Sequence, residues 1–125
     1  MDQSDLESVK NEKLAYLTTI GRKSGRAHSV ELWFASDDGK LYLSHEGSFT
    51  DWMRNLSKNA QVRVRIGKLT FGAEAAIAKA GSSLAAGKRS LYEKYYGPAS
   101  EATINDWFEL STIIELTPSN KSLLI

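Results

Sequence analysis

Residues 28–44 read HSVELWFASDDGKLYLS. In the first half of this stretch, apolar residues occupy every second position, which is typical of a half-buried strand over 28–35. The run DDGK at 37–40 is typical of a hairpin turn, in which Gly39 supplies a positive φ. The segment that follows, KLYLS, then returns alongside the first strand. This stretch therefore predicts a β-hairpin and an antiparallel sheet.

Four further segments have the character of strands. They are LAYLTTI at 14–20, VRVRI at 62–66, LTFGAEAAIAKA at 69–80 and ELSTIIELT at 109–117. Gly67 and Lys68 can form a two-residue turn, and Gly72 is predicted to mark a bulge. The late strand is expected to close the sheet, since small antiparallel barrels protect their edges in this way. The chain is therefore predicted to be mainly β, or α+β, with an antiparallel barrel of about six strands.

Two to four short helices are expected beside this sheet. Helical spacing or capping signals occur at 2–13, 51–58, 82–96 and roughly 99–108. Thr50 or Asp51 is predicted to cap the second of these helices, and Ser82 or Ser83 the third. Gly97, followed by proline, is predicted to end the third helix.

Composition limits the classes of function. The chain has 125 residues, which fits one domain over 1–125, and it contains no cysteine and two histidines, which disfavours a metal enzyme. The start is polar and no apolar run could cross a bilayer, so we expect a cytoplasmic protein without a transmembrane segment. The formal net charge of +1 argues against a nucleic-acid coat. Even so, nine of the sixteen cations lie in two windows without acids, four at 13–30 and five at 52–73.

The run GRKSGR at 21–26 is the clearest candidate for ligand binding. Its glycines allow backbone N–H groups to converge on an anion, Ser24 adds a donor, and Arg22 or Lys23 supplies positive charge. This composition suits a phosphate site, although the spacing is not that of a Walker loop. A solvated basic turn explains the same residues and stays open as the alternative.

Other candidate residues lie further along the chain. Trp52 and Asn55 share one face of the predicted helix, so a ring and an amide could contact one ligand, whereas a core role for Trp52 is the simpler alternative. His45 could donate a proton near neutral pH, or it could be an ordinary solvated histidine. The aromatic residues between 92 and 108 are expected to be mostly core, with some left to form a wall for a planar substrate. No spacing of Ser, His and Asp suggests a hydrolase.

Several of these pieces occur in an order that resembles a known family. The GRKSG turn, Leu32-Trp33, the turn at Asp38-Gly39, the helix DWMRNL and the strand NAQVRVRIG together resemble the deazaflavin-dependent nitroreductases. This family belongs to the split β-barrel flavoproteins related to pyridoxamine phosphate oxidases. The likeness covers residues 14–78 well and is weaker beyond them, where Tyr96 and IIELTP still fit.

The resemblance implies a split β-barrel that binds coenzyme F420, an 8-hydroxy-5-deazaflavin, and transfers a hydride from its reduced form to a small planar acceptor such as a quinone, a nitroaromatic or an enone. The coenzyme would carry the chemistry, which fits the absence of a triad. The phosphate would be held at the basic turn, and the loop at 44–48 would lie near the ring. The implied cofactor-binding residues are Arg22, Lys23, Ser24, Gly25, His28, Trp33, Ser44, His45, Gly47, Ser48, Trp52 and Asn55.

Three positions depart from the family pattern. His28 replaces a frequent arginine, Glu31 a frequent proline and Glu46 a frequent lysine. Because two fewer cations would face an acidic glutamyl tail, FMN is the alternative cofactor. A non-catalytic flavin- or deazaflavin-binding protein is the alternative function. Many split barrels pair as homodimers, so a homodimer is an open expectation.

Overall fold

The computed structural model describes residues 3–20, 25–46, 51–78 and 81–119, and it confirms the predicted fold class. Seven strands form one antiparallel sheet in the described part of the chain, with four helices beside it. In chain order the elements are α1 (Gln3–Val9), β1 (Ala15–Ile20), β2 (Ala27–Leu32), β3 (Phe34–Asp37), β4 (Lys40–Glu46), α2 (Asp51–Lys58), β5 (Gln61–Ile66), β6 (Leu69–Ile77), α3 (Ser82–Tyr96), α4 (Glu101–Trp107) and β7 (Ser111–Ser119).

The sheet is open, but the two strands that form its edges follow one another in the chain. The strand order is β2-β1-β5-β6-β7-β4-β3, so β2 and β3 lie at opposite edges. Only Trp33 separates them. The strand predicted over 28–35 is therefore two strands, because its first half pairs with β1 and its second half pairs with β4. This change of partner accounts for seven strands instead of about six.

The hairpin turns follow the local sequence. Asp38 and Gly39 have φ values of 51° and 78°, which gives the β3–β4 hairpin a turn with positive φ at both central residues. Gly67 has a φ of 58° in the β5–β6 turn, as the two-residue turn requires. The predicted bulge at Gly72 is wrong, because Gly72 pairs with Arg63 in an unbroken register.

The third helix ends as expected but begins differently. Gly97, with a φ of 86°, follows its last residue. At the other end Gly81 precedes the helix, and no side chain caps it. The predicted serine cap is wrong: Ser82 is already the first helical residue, and the hydroxyl of Ser83 donates to the Glu115 carboxylate on β7. That bond and the Lys40 ammonium lower the pKa of Glu115.

Two apolar clusters hold the domain together. The larger one fills the barrel interior, with Leu17, Leu43 and Val64 among its buried residues. The smaller one lies on the outer side of β3, β4 and β7, where Tyr42 and Ile113 pack against α3 and α4. Successive residues of a strand face opposite sides of a sheet, so one strand serves both clusters. This second layer of helices covers one part of the barrel surface and brings α3 and α4 beside the break at Trp33.

Candidate active site

A groove opens where the barrel changes strand partners. In the β3–β4 hairpin Phe34 pairs with Leu43, and the same register continued backwards would set Glu31 opposite Glu46. Instead Glu31 pairs with Tyr16 of β1. β2 therefore departs from β4, and a groove of about 550 Å³ lies between them.

Three strands and the helical layer line this groove. β2 and the break contribute Glu31, Leu32 and Trp33, and β4 contributes Ser44 and Glu46. The remaining lining residues come from the C-terminal third: Tyr96, Asp106, Trp107, Phe108 and Ser111. The volume lies within the range of roughly 300–1,000 Å³ that is typical of small-molecule sites.

An aromatic wall, defined as Trp33, Tyr96 and Trp107, forms one side of the groove. These side chains are 44%, 48% and 55% exposed, respectively. The ring centroid of Tyr96 lies 6.0 Å from that of Trp33 and 4.9 Å from that of Trp107. Phe108 is buried, as expected for most aromatic residues of the last third, whereas Tyr96 and Trp107 are among those left to form the expected wall. Large exposed rings lining a concave surface are typical of a binding site for a planar molecule.

Tyr95 holds the break in the strand in place. Its ring stacks on Trp33 with the centroids 4.1 Å apart and the planes 14° from parallel. Its hydroxyl lies 2.7 Å from the Lys13 carbonyl oxygen and 3.1 Å from that of Phe34, and it accepts a bond of 3.1 Å from the Phe34 N–H. The hydroxyl thus hydrogen-bonds to the backbone of Phe34 at the edge of β3, where no other strand pairs with it. Burial raises the pKa of Tyr95, so the hydroxyl keeps its proton at neutral pH.

Lys94 fixes the end of the same helix. Its Nζ lies 3.4 Å from the centroid of the Phe34 ring and donates to the Glu12 carbonyl oxygen at 2.6 Å. Burial of the ammonium lowers its pKa to about 8. Together Lys94 and Tyr95 attach the last turn of α3 to both sides of the barrel break.

The structure brings two of the predicted binding residues into the groove, Trp33 and Ser44. His45 follows Ser44 on β4 but does not line the groove. Leu43 belongs to the barrel core, and because side chains alternate along a strand, His45 lies on the side of Leu43 while Ser44 and Glu46 lie on the groove side. His45 does have an interaction partner. Its role as a proton donor stays a prediction.

Three other predicted residues lie towards the far end of β1. Asn55 of α2 is buried, with its amide nitrogen 3.4 Å from the hydroxyl of Thr19. Thr19 in turn pairs with His28, which is exposed on β2. Gly25, just before β2, has a φ of 72° and open space around its Cα. At roughly 3.3 Å per strand residue, Gly25 is about 20 Å along the chain from Glu31.

Arg22, Lys23, Ser24, Gly47 and Ser48 lie outside the described residues, as does the side chain of Trp52. The phosphate site therefore stays a prediction from sequence.

A second groove of about 320 Å³ is lined by residues of β1, β2, β5 and β6. Arg63 and Arg65 project from β5 beside it, and the Arg65 guanidinium lies 4.2 Å from the centre of the Tyr16 ring. The hydroxyl groups of Thr18 and Ser29 lie 2.8 Å apart there. These arginines line a groove distinct from the one beside the aromatic wall.

Sequence reasoning missed Asp106 and Ser111 as groove residues. Trp107 was recognised as aromatic, but composition alone favours burial for such a residue. The position of Trp107 as the last residue of α4, next to the buried Phe108, is what leaves it exposed.

The described residues contain no group of three or more His, Cys, Asp or Glu side chains that could hold a metal ion. No helix in those same ranges is long and apolar enough to span a membrane.

Solved structures with this fold include several redox and cofactor-binding proteins. The conserved hypothetical protein Rv2991 from Mycobacterium tuberculosis has a TM-score of 0.78 at 20% identity, with 96% of this chain and 82% of that chain covered. An F420-H2 dependent reductase, FDR-A, has a TM-score of 0.62 at 22% identity, covering 83% of this chain and 93% of that one. A candidate pyridoxamine 5'-phosphate oxidase from Listeria innocua has a TM-score of 0.67 at 17% identity, with 94% of this chain and 92% of that chain covered. These likenesses define the class of the fold, a split β-barrel of the pyridoxamine phosphate oxidase type.

The family to which the protein belongs follows from its sequence. The sequence profile of the F420H(2)-dependent quinone reductase family matches residues 6–99, which is most of the chain, whereas a search of curated proteins found no match. The protein belongs to the F420H2-dependent quinone reductase family. It is therefore an F420-dependent oxidoreductase, and its cofactor is coenzyme F420.

The described residues fit such a coenzyme. A flat tricyclic ring needs a broad slot with apolar or aromatic sides, and the groove offers this size and the aromatic wall. Ser44 and Ser111 add polar groups at the edge of the slot that can orient heteroatoms of a ring.

Proposed function

We propose that the protein is an F420H2-dependent reductase of small planar acceptors such as quinones, nitroaromatics or enones, and that the groove beside the aromatic wall is its active site. The observation that carries this proposal is the barrel break at Trp33, which opens a groove with three large exposed rings. Rings of this kind can stack on both a coenzyme and a planar acceptor.

The proposal places the coenzyme ring near Trp33 and Ser44. It assigns the phosphate to the basic turn of Arg22, Lys23, Ser24 and Gly25. The basic turn precedes β2 and Trp33 follows it, so β2 marks the path between the proposed phosphate site and the proposed ring site. His28, His45, Gly47, Ser48, Trp52 and Asn55 are assigned to the flanks of this path.

When bound, coenzyme F420 supplies a hydride, and the protein provides binding, orientation and exclusion of water. Trp33 is held by its stack on Tyr95, so it offers a preorganised surface that fixes the distance between the reacting partners. A quinone that accepts a hydride also takes up one proton and leaves as the hydroquinone. Tyr96 and Ser44 line the groove, and their hydroxyls can donate hydrogen bonds to the acceptor oxygen.

FMN is the second cofactor to test, because related split barrels share the basic turn. The purified protein should be titrated with F420 and FMN in parallel, followed by turnover of F420H2 with a quinone. The proposal expects micromolar F420 binding and acceptor-dependent oxidation of F420H2. Binding without turnover across a panel of acceptors would indicate a non-catalytic carrier, and preferential binding of FMN would overturn the cofactor assignment.

We also propose that the protein acts in the cytoplasm and that it forms a homodimer. Light scattering during size-exclusion chromatography tests the dimer. A mass of one chain, 13.8 kDa, would refute it.

A further inference from the structure

We infer that the groove selects planar acceptors that carry a positive charge over neutral or negatively charged ones of the same shape. This inference rests on the proposed function, because it concerns the acceptor in the same groove.

Carboxylates line the groove from three elements. Glu31 lies on β2, Glu46 ends β4 and Asp106 lies in α4, and all three are exposed. No lysine or arginine is among the described lining residues. Within the described part of the chain, no ion pair neutralises these carboxylates. The described residues that line the groove therefore contribute a net negative charge to it.

The aromatic wall favours the same sign of charge. The faces of Trp and Tyr rings attract cations through their quadrupoles, and Trp does so most strongly. Trp33, Tyr96 and Trp107 are all about half exposed towards solvent, so a ligand can reach them. A cationic aromatic acceptor could stack on this wall while its charge lies near a carboxylate, whereas an anionic acceptor would be repelled by both features.

The spacing of the carboxylates points to an organic cation and not to a metal ion. The described residues contain no set of three acidic or imidazole groups close enough to share a metal. Charges spread around a groove of about 550 Å³ suit a ligand with an extended body.

The acidic coenzyme does not contradict this reasoning. Its phosphate is assigned to the basic turn that ends at Gly25, roughly 20 Å along the strand from Glu31. The negative groups of the coenzyme can therefore lie away from the carboxylates, and only the ring and the acceptor need to approach them.

The test uses three nitrobenzenes with one core: 4-nitrobenzyltrimethylammonium, 4-nitrobenzyl alcohol and 4-nitrobenzenesulfonate. An exposed charge pair contributes about a 2- to 5-fold effect, so three carboxylates acting together predict a kcat/KM about 10-fold higher for the cation than for the alcohol at low salt. The sulfonate is expected to be the poorest acceptor. This order should weaken as the salt concentration rises.

Two triple variants isolate the groove. In Glu31→Gln/Glu46→Gln/Asp106→Asn, the cation-to-alcohol ratio is expected to fall to within about 2-fold of unity. Asp37→Asn/Glu74→Gln/Glu101→Gln removes the same number of charges from exposed positions outside the groove, and its ratio should stay near that of the native protein.

Binding to the protein without coenzyme gives a second readout. Quenching of tryptophan fluorescence by the nitrobenzenes should show the same order of affinity, because two of the three tryptophans belong to the aromatic wall. Suppose that the alcohol is reduced, but that kcat/KM for the cation is about equal to that for the alcohol or is highest for the sulfonate. The inference is then wrong and the proposed function stands. If no acceptor is reduced but quenching follows the predicted order, the proposed function fails and the charge selectivity stands. Quenching without preference for the cation overturns the inference in either case.

Discussion

Replacing Tyr95 by phenylalanine tests whether a single hydroxyl holds the barrel break that creates the groove. The hydroxyl has one proton, which it can donate to the carbonyl oxygen of Lys13 at 2.7 Å or to that of Phe34 at 3.1 Å, while it accepts from the Phe34 N–H at 3.1 Å. The ring, and with it the stack on Trp33, is retained in Tyr95→Phe. The variant therefore removes one donated and one accepted bond and little else.

The expected cost follows from those two bonds. A net contribution of about 0.5–1.5 kcal/mol for each gives a loss of about 1–3 kcal/mol in the free energy of unfolding. A loss of about 2 kcal/mol in a domain of this size lowers Tm by roughly 6–10 °C. Urea titration gives the free energy, and calorimetry gives Tm. Hydrogen exchange adds a local readout, because the Phe34 amide loses its acceptor and should exchange faster.

Tyr92→Phe is the matched control. Tyr92 lies on the same helix, and its ring contacts Tyr96 and Trp107, contacts that phenylalanine preserves. We expect its Tm to change by about 1 °C or less. If Tyr95→Phe behaves like this control and the Phe34 amide keeps its protection, the hydroxyl does not stabilise the break and the reasoning is refuted.

Three further predictions concern packing, ionisation and the cofactor. A Cβ on Gly87 would lie 2.7 Å from a ring carbon of Tyr42, so Gly87→Ala should destabilise the protein by about 1–3 kcal/mol in urea titrations, and a neutral effect would contradict the close approach of α3 to β4. Lys94 has a pKa lowered from 10.5 to about 8, so the folded state holds fewer protons than the unfolded state between these values and the free energy of unfolding should rise with pH there; an NMR titration placing its pKa above 10 would refute this. Lys23→Ala/Ser24→Ala should weaken F420 binding by about 2–4 kcal/mol without changing Tm, and unchanged affinity in a fluorescence titration would move the phosphate site elsewhere.

Much of the fold could be predicted because its signals are local. The β3–β4 turn follows from Asp38 and Gly39, and the end of α3 follows from Gly97, since these residues accept backbone angles that others avoid. Such preferences act within a few residues, so they are visible in the sequence. The class of the fold follows once the hairpins are recognised.

The groove was harder to predict because it depends on distant partners. Alternation continues through Trp33 without interruption, yet β2 pairs with β1 and β3 pairs with β4. Nothing local marks such a change of neighbour, because pairing is decided by residues far away in the chain. The exposure of Trp107 has the same origin, since it depends on where α4 ends against the sheet.

The structure of the protein crystallised with coenzyme F420 tests the central claim most directly. The account predicts that the deazaflavin ring lies in the groove between β2 and β4, in contact with Trp33 and Ser44, with its phosphate at the basic turn before Gly25. A ring bound on the arginine-lined face of β5, beside Arg63 and Arg65, would contradict the account.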